Sequence, residues 1–181
     1  MLLSFINKIK KKIQDMKTIS KLCIGAEKYA NLNGEEKPGA EHFMISAFDL
    51  PDNTARNVFK RLNIDPSGIN EAIKRQHVEA LSGVGLDQNP IDLGLEIPEK
   101  IQSNLKLYDT QPSGQVLMQK LYQRNKIQNT SLIGAHVLEI IASMEYGIAP
   151  RTLRAMGINS NDLKKAIAAE YGGEHSPLNN L

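Results

Sequence analysis

The stretch "PGAEHFMISAFD", Pro38–Asp49, has an echo at Leu132–Ser143, which reads "LIGAHVLEIIAS". Setting Gly39 over Gly134 aligns a Gly-Ala pair and then lays apolar residues on apolar residues. Extended backwards on the same register, Leu22 falls on Leu117, Ala26 on Leu121 and Leu32 on Ile127. These positions are spaced as one face of a helix. Gly34 then meets Asn129, the two residue types that best tolerate the left-handed conformation that ends a helix. Extended forwards, with one residue dropped near Pro51, "RLNID" (Arg61–Asp65) lies over "AMGIN" (Ala155–Asn159). The exchange now runs the other way, Asn63 over Gly157, and Asp65 faces Asn159, both good N-caps. Ala72-Ile73 meets Ala166-Ile167.

Each copy divides into four predicted helices. In the first copy they run over 16–33, 38–49, from 52 or 53 to 63, and over 65–82, the second opening on Pro38 and the fourth on Asp65-Pro66, since proline suits the first turn. In the second copy they run over 111–125, 131–144, 148–156 and 160–171. The stripes Phe43-Ala47-Phe48 and Leu138-Ile141-Ala142 should face inward. Most of Gly34, Asn63, Asn129 and Gly157 should take positive φ. The domain plan is an N-terminal extension (1–15), repeat 1 (16–82), a linker (83–109), repeat 2 (110–171) and a flexible tail (172–181), with both repeats sharing one core. "PIDLGLEIP" in the linker alternates as an extended segment, and Pro98-Glu99 can open one more short helix.

Composition narrows the function. Apolar residues make up 41% of the 181, aromatics only 5%, and there is no Trp, so an aliphatic core is expected. The net charge of +2 is uneven: residues 1–17 carry five Lys against one Asp, and the remainder is slightly negative. A near-neutral body lacks the basic face of a nucleic-acid binder. The lone Cys23 excludes an internal disulfide and reads as a buried thiol. There is no signal-peptide pattern and no membrane-length apolar run, so a cytoplasmic chain is expected. No phosphate-binding "GxxxxGK[ST]" loop and no nucleophile elbow occur. His136 lacks companions at ligand spacing, so neither a metal nor another cofactor is expected.

The repeat, with Ala26, Ala30, Gly34, "GAEHFMISAF" and "VFKRLNID" in copy one and "IGAHVLEIIAS" and "TLRAMGIN" in copy two, resembles the Clp N-terminal domain family. That family precedes the ATPase modules of Clp-type unfoldases. The resemblance covers nearly the whole chain after about residue 15. It implies an all-α fold: a pseudo-twofold duplicated four-helix repeat, an eight-helix bundle, here freestanding and joined to an N-terminal amphipathic helix. It also implies a non-enzymatic protein-interaction module that binds substrate peptides, adaptors or a Clp unfoldase. Some relatives bind phosphorylated arginine through the Glu of a "GTEH" motif, where a carboxylate meets a guanidinium as a fork. By resemblance, Glu41 holds that place in copy one and His136 in copy two. The family's Thr at the start of each repeat is Met16 and Gln111 here.

The N-terminal extension supports a different reading. Leu2, Phe5, Ile6, Ile9, Ile13 and Met16 share a helical face, with Lys8, Lys10, Lys11 and Lys12 around the rest. Phe5, Ile6, Ile9, Lys8, Lys11 and Lys12 are thus candidates for contact with an anionic membrane or a partner helix. The plainer expectation is that the stripe packs on the bundle or mediates dimer contacts. The alternative function is a membrane-surface or self-associating structural protein.

Overall fold

The structure, a computed structural model, describes residues 2–83, 109–127 and 130–171. Among them it is all-α, with eight α-helices and a single 3-10 turn. They are α1 (Leu2–Leu32), α2 (Ala40–Phe48), α3 (Thr54–Arg61), α4 (Ile69–Ser82), α5 (Pro112–Ile127), α6 (Gly134–Ala142), α7 (Ile148–Ala155) and α8 (Ser160–Tyr171). The linker segment, Asn129 and the tail lie outside the described residues.

The core is mostly aliphatic, as composition requires, with Phe43, Phe48 and Phe59 as its phenyl rings. All nine residues of α2 are buried, and α6 buries seven of its nine. These two short helices pack on each other at the centre. Gly134 permits the approach, because a Cβ there would stand 2.9 Å from the Ala47 carbonyl oxygen. Around this pair, α1 and α5 cover α2, α5 also lies on α6, α3 packs on α6 and α8, and α4 packs on α7. Contacts therefore run between the halves as much as within them, and one cluster of buried apolar residues spans both. Cys23 is buried, and that burial raises its thiol pKa.

The helix stops follow the sequence closely. Positive φ occurs at Gly34, Asn63 and Gly157. After α3, the Asn63 N–H bonds the Lys60 carbonyl and the Ile64 N–H bonds that of Phe59. After α7, Gly157 bonds Arg154 and Ile158 bonds Leu153 in the same way, so both helices end in one paired-bond motif. Asn53 and Gly147, just before α3 and α7, also take positive φ, at 55° and 116°.

Four expectations need correction. Residues 1–15 are not a separate unit: α1 is one 31-residue helix running through the expected boundary at 15/16. Leu32 and Ile127 lie outside the core, at 70% and 83% exposure, because both end their helices beyond the neighbouring elements. Pro38 and Ser131 precede their helices instead of opening them, since Gly39 and Ile133 are the caps. Finally, the register changes earlier than expected. The paired helices α2 and α6 are both nine residues, and α3 and α7 both eight, so Phe48 corresponds to Ala142 and Arg61 to Ala155. His42, not Glu41, holds the same helical position as His136, and Ala135 holds that of Glu41. Matched by helix position, the one-residue shift of the alignment thus falls before α2 rather than near Pro51.

Candidate functional site

The first turn of a helix leaves N–H groups without partners. In α2 and α6 this need arises inside the protein. His42 and His136 each occupy the third helical position, and each Nδ1 accepts the N–H of its own cap residue, Gly39 at 3.0 Å and Ile133 at 3.1 Å. Glutamate or glutamine does this in an ordinary capping box. Imidazole reaches as far without bringing a charge into the core.

Each half also caps the other. The Asp52 carboxylate accepts the Gly134 N–H at 3.2 Å, and the Thr54 hydroxyl oxygen accepts that of Ala135 at 2.9 Å. An anion at this end also opposes the helix dipole favourably. In return, the Ser113 hydroxyl oxygen accepts the Ala40 N–H at 3.1 Å.

Both histidines are wholly buried, and burial lowers the pKa of each. For His136 the value falls to about 2, through burial first and then the nearby Arg124 and Lys11 cations. Glu41 is 2% exposed, and burial chiefly raises its carboxyl to about 7, with Glu35 adding to the shift. Its carboxyl lies over Gly39, where any Cβ would overlap it and the Gln111 side chain. The acidic group expected to face a ligand is therefore interior, and so is His136. Neither presents its side chain to solvent.

The fold does gather Glu35, Glu41 and His42 into a polar cluster, with His77 Nε2 4.0 Å from Glu35. Sequence spacing had not suggested it. The tautomer argues against a cation there. Because His42 Nδ1 takes the Gly39 N–H, the proton of the neutral ring sits on Nε2, 3.6 Å from Glu35 Oε1. A metal on Nε2 would force the proton onto Nδ1, against the Gly39 N–H. The cluster is instead hydrogen-bonded, with Gln111 donating to the other Glu35 oxygen.

The N-terminal candidates separate into two groups. Phe5, Ile6 and Ile9 are exposed, as are Lys8 and Lys12. The stripe does not pack on the bundle. Lys11 turns inward instead, bonding Asp15 at 2.7 Å and the Asn125 side-chain oxygen.

A surface feature the sequence did not announce lies between the end of α6, α7 and the start of α8. It is an apolar cleft of about 330 Å³, floored by Leu153, Ile158 and Leu163, with Ala142 on its wall and the exposed Arg154 among its lining residues. At the same helical positions in α2 and α3 stand Phe48 and Phe59, whose rings pack edge to face at 4.7 Å. The methyl and isobutyl groups at Ala142 and Leu153 supply less side-chain volume than two rings. Aligning the two halves on histidine instead of glycine would have exposed the Phe-to-Ala exchange in the sequence.

No family model, no curated protein and no solved structure matches this chain.

Proposed function

We propose that this chain is a non-enzymatic protein-interaction module of the Clp N-terminal kind, with two four-helix copies related by a pseudo-twofold axis. Equal helix lengths, the shared stop motif after α3 and α7, and the repeated histidine cap support the duplication. The partners proposed are substrate peptides, adaptors or a Clp unfoldase, met in the cytoplasm. No nucleic acid and no cofactor enter this reading.

One observation carries it: the apolar cleft is lined by Ala142 and Leu153, at the helical positions where α2 and α3 carry the paired rings of Phe48 and Phe59. A cleft so lined suits an apolar side chain from a partner segment. Burying one such side chain contributes about 1.5–3 kcal/mol, enough to anchor a peptide but not to hold it alone. Arg154 at the cleft adds a preference for a carboxylate nearby. Glu41 and His136 serve this reading as supports of α2 and α6, not as contacts.

The test is Ala142→Phe, which restores the ring found at Phe48. A panel of peptides carrying Phe or Leu beside an acidic residue is titrated by fluorescence anisotropy against both proteins. The native chain should bind a subset, and Ala142→Phe should bind them about tenfold or more weaker without loss of thermal stability. Equal binding by both proteins would rule out the cleft. No binding by the native chain to any apolar peptide would remove the reading itself.

A further inference from the structure

The outer face of α1 is separate from that cleft. Phe5, Ile6, Ile9, Ile13, Met16 and Ile24 are between 39% and 62% exposed. They share one side of the helix and extend along about 28 Å of it at 1.5 Å per residue. The opposite side is fastened to the bundle. Asp15 is 3% exposed and accepts the Leu132 N–H at 2.7 Å, and Lys11 holds Asp15 and Asn125. These bonds prevent α1 from rolling its apolar stripe inward.

The charges around the stripe are of one sign. Lys8, Lys10, Lys12, Lys17 and Lys21 are all exposed. The one carboxylate in this part of α1, Asp15, is spent on the inner face, and the next acidic residue is Glu27.

We infer that α1 lies on an anionic lipid bilayer, with its apolar stripe among the upper acyl chains and its lysines at the headgroups. Three features select this occupant. The stripe is a convex ridge, which a deformable surface accepts without a preformed groove. Its flanking lysines complement anionic headgroups and extend their stems along the interface while the ammonium groups stay in water. A second copy of the chain would set these lysines against lysines, with no acidic residue of the same stretch to answer them. The bundle then sits on the solvent side of α1, leaving the α6–α7–α8 cleft available to a partner.

The experiment is co-sedimentation of the full chain with vesicles of phosphatidylcholine alone or with about 30% phosphatidylserine, at low and at roughly 0.5 M salt. Binding is expected to the anionic vesicles, weakened by salt, and about tenfold or more poorer on neutral ones. Lys10→Gln with Lys17→Gln should reduce it about 30-fold, since each lysine near such a surface contributes about 1 kcal/mol. Ile9→Gln with Ile13→Gln should reduce it to background, with circular dichroism unchanged because both positions are exposed. The inference is overturned if the native chain stays in the supernatant, or if the isoleucine pair binds as the native chain does. It is also overturned if the chain alone sediments as a dimer that the isoleucine pair converts to monomer, which would give the stripe to a second copy. None of these outcomes depends on the peptide cleft, so either proposal can fail alone.

Discussion

Replacing His136 by glutamine should exchange a pH-dependent cap for a pH-independent one. The native imidazole is wholly buried, its Nδ1 holds the Ile133 N–H at 3.1 Å, and its pKa is lowered to about 2. In the unfolded chain the same ring protonates near 6.5. Between these values the unfolded state binds the extra proton, so stability falls as the pH falls, by about 1.4 kcal/mol per unit. At pH 5 the native protein has lost about 2 kcal/mol through this one residue, relative to neutral pH. Glutamine at the third position can make the same reach-back bond and does not titrate. His136→Gln should therefore cost about 1 kcal/mol at pH 7.5, for poorer packing and a less well-placed acceptor. At pH 5 it should be the more stable protein by a similar amount. Urea unfolding of both proteins from pH 7.5 to 5, at constant m-value, reads this directly. Glu41 titrates in part of the same range with the opposite slope, but it is present in both proteins and cancels in the difference. Two stability curves that run parallel down to pH 5 would refute the buried neutral cap.

Glu41→Gln follows the reverse sign. The folded carboxyl is raised to about 7 from an ordinary 4.5, so the native state favours the neutral form and loses stability as the pH rises through that window. The variant should gain up to about 3 kcal/mol at pH 8 and almost nothing at pH 4, measured by thermal melting. Gly157→Val should destabilise by about 1–2 kcal/mol, because a β-branched residue is forced to the φ of 77° that ends α7. Gly157→Asn, the residue type found at position 63, should cost clearly less, and equal losses would contradict the strain argument. Gly134→Ala should cost about 1–3 kcal/mol by pushing α6 away from the Ala47 carbonyl, read as a lower urea midpoint.

The local stops and the helical class were legible without a structure. Gly34, Asn63 and Gly157 end helices for reasons carried by their own backbones, and the apolar spacing of 3.6 residues marks the inward faces of α2 and α6. Such signals act over a few residues, so the chain alone determined them. The register of the halves did not yield to the same reading. Gly39 and Gly134 look equivalent in sequence, but one is a cap and the other a site of helix–helix contact. Only the packing of α6 against Ala47 separates them. The roles of the polar residues were decided in the same way. Glu41 looks like a surface acid until the elements around it remove water and raise its pKa. His136 stands by resemblance where a ligand would be met, until it, like His42, is found holding a cap N–H in the core. The apolar stripe of α1 was visible as a pattern. Its outward orientation was set by Asp15 and Lys11, whose bonds to Leu132 and Asn125 join residues more than a hundred positions apart. Burial, charge state and the direction a helix faces are properties of what surrounds a residue, and those surroundings are assembled only when the chain folds.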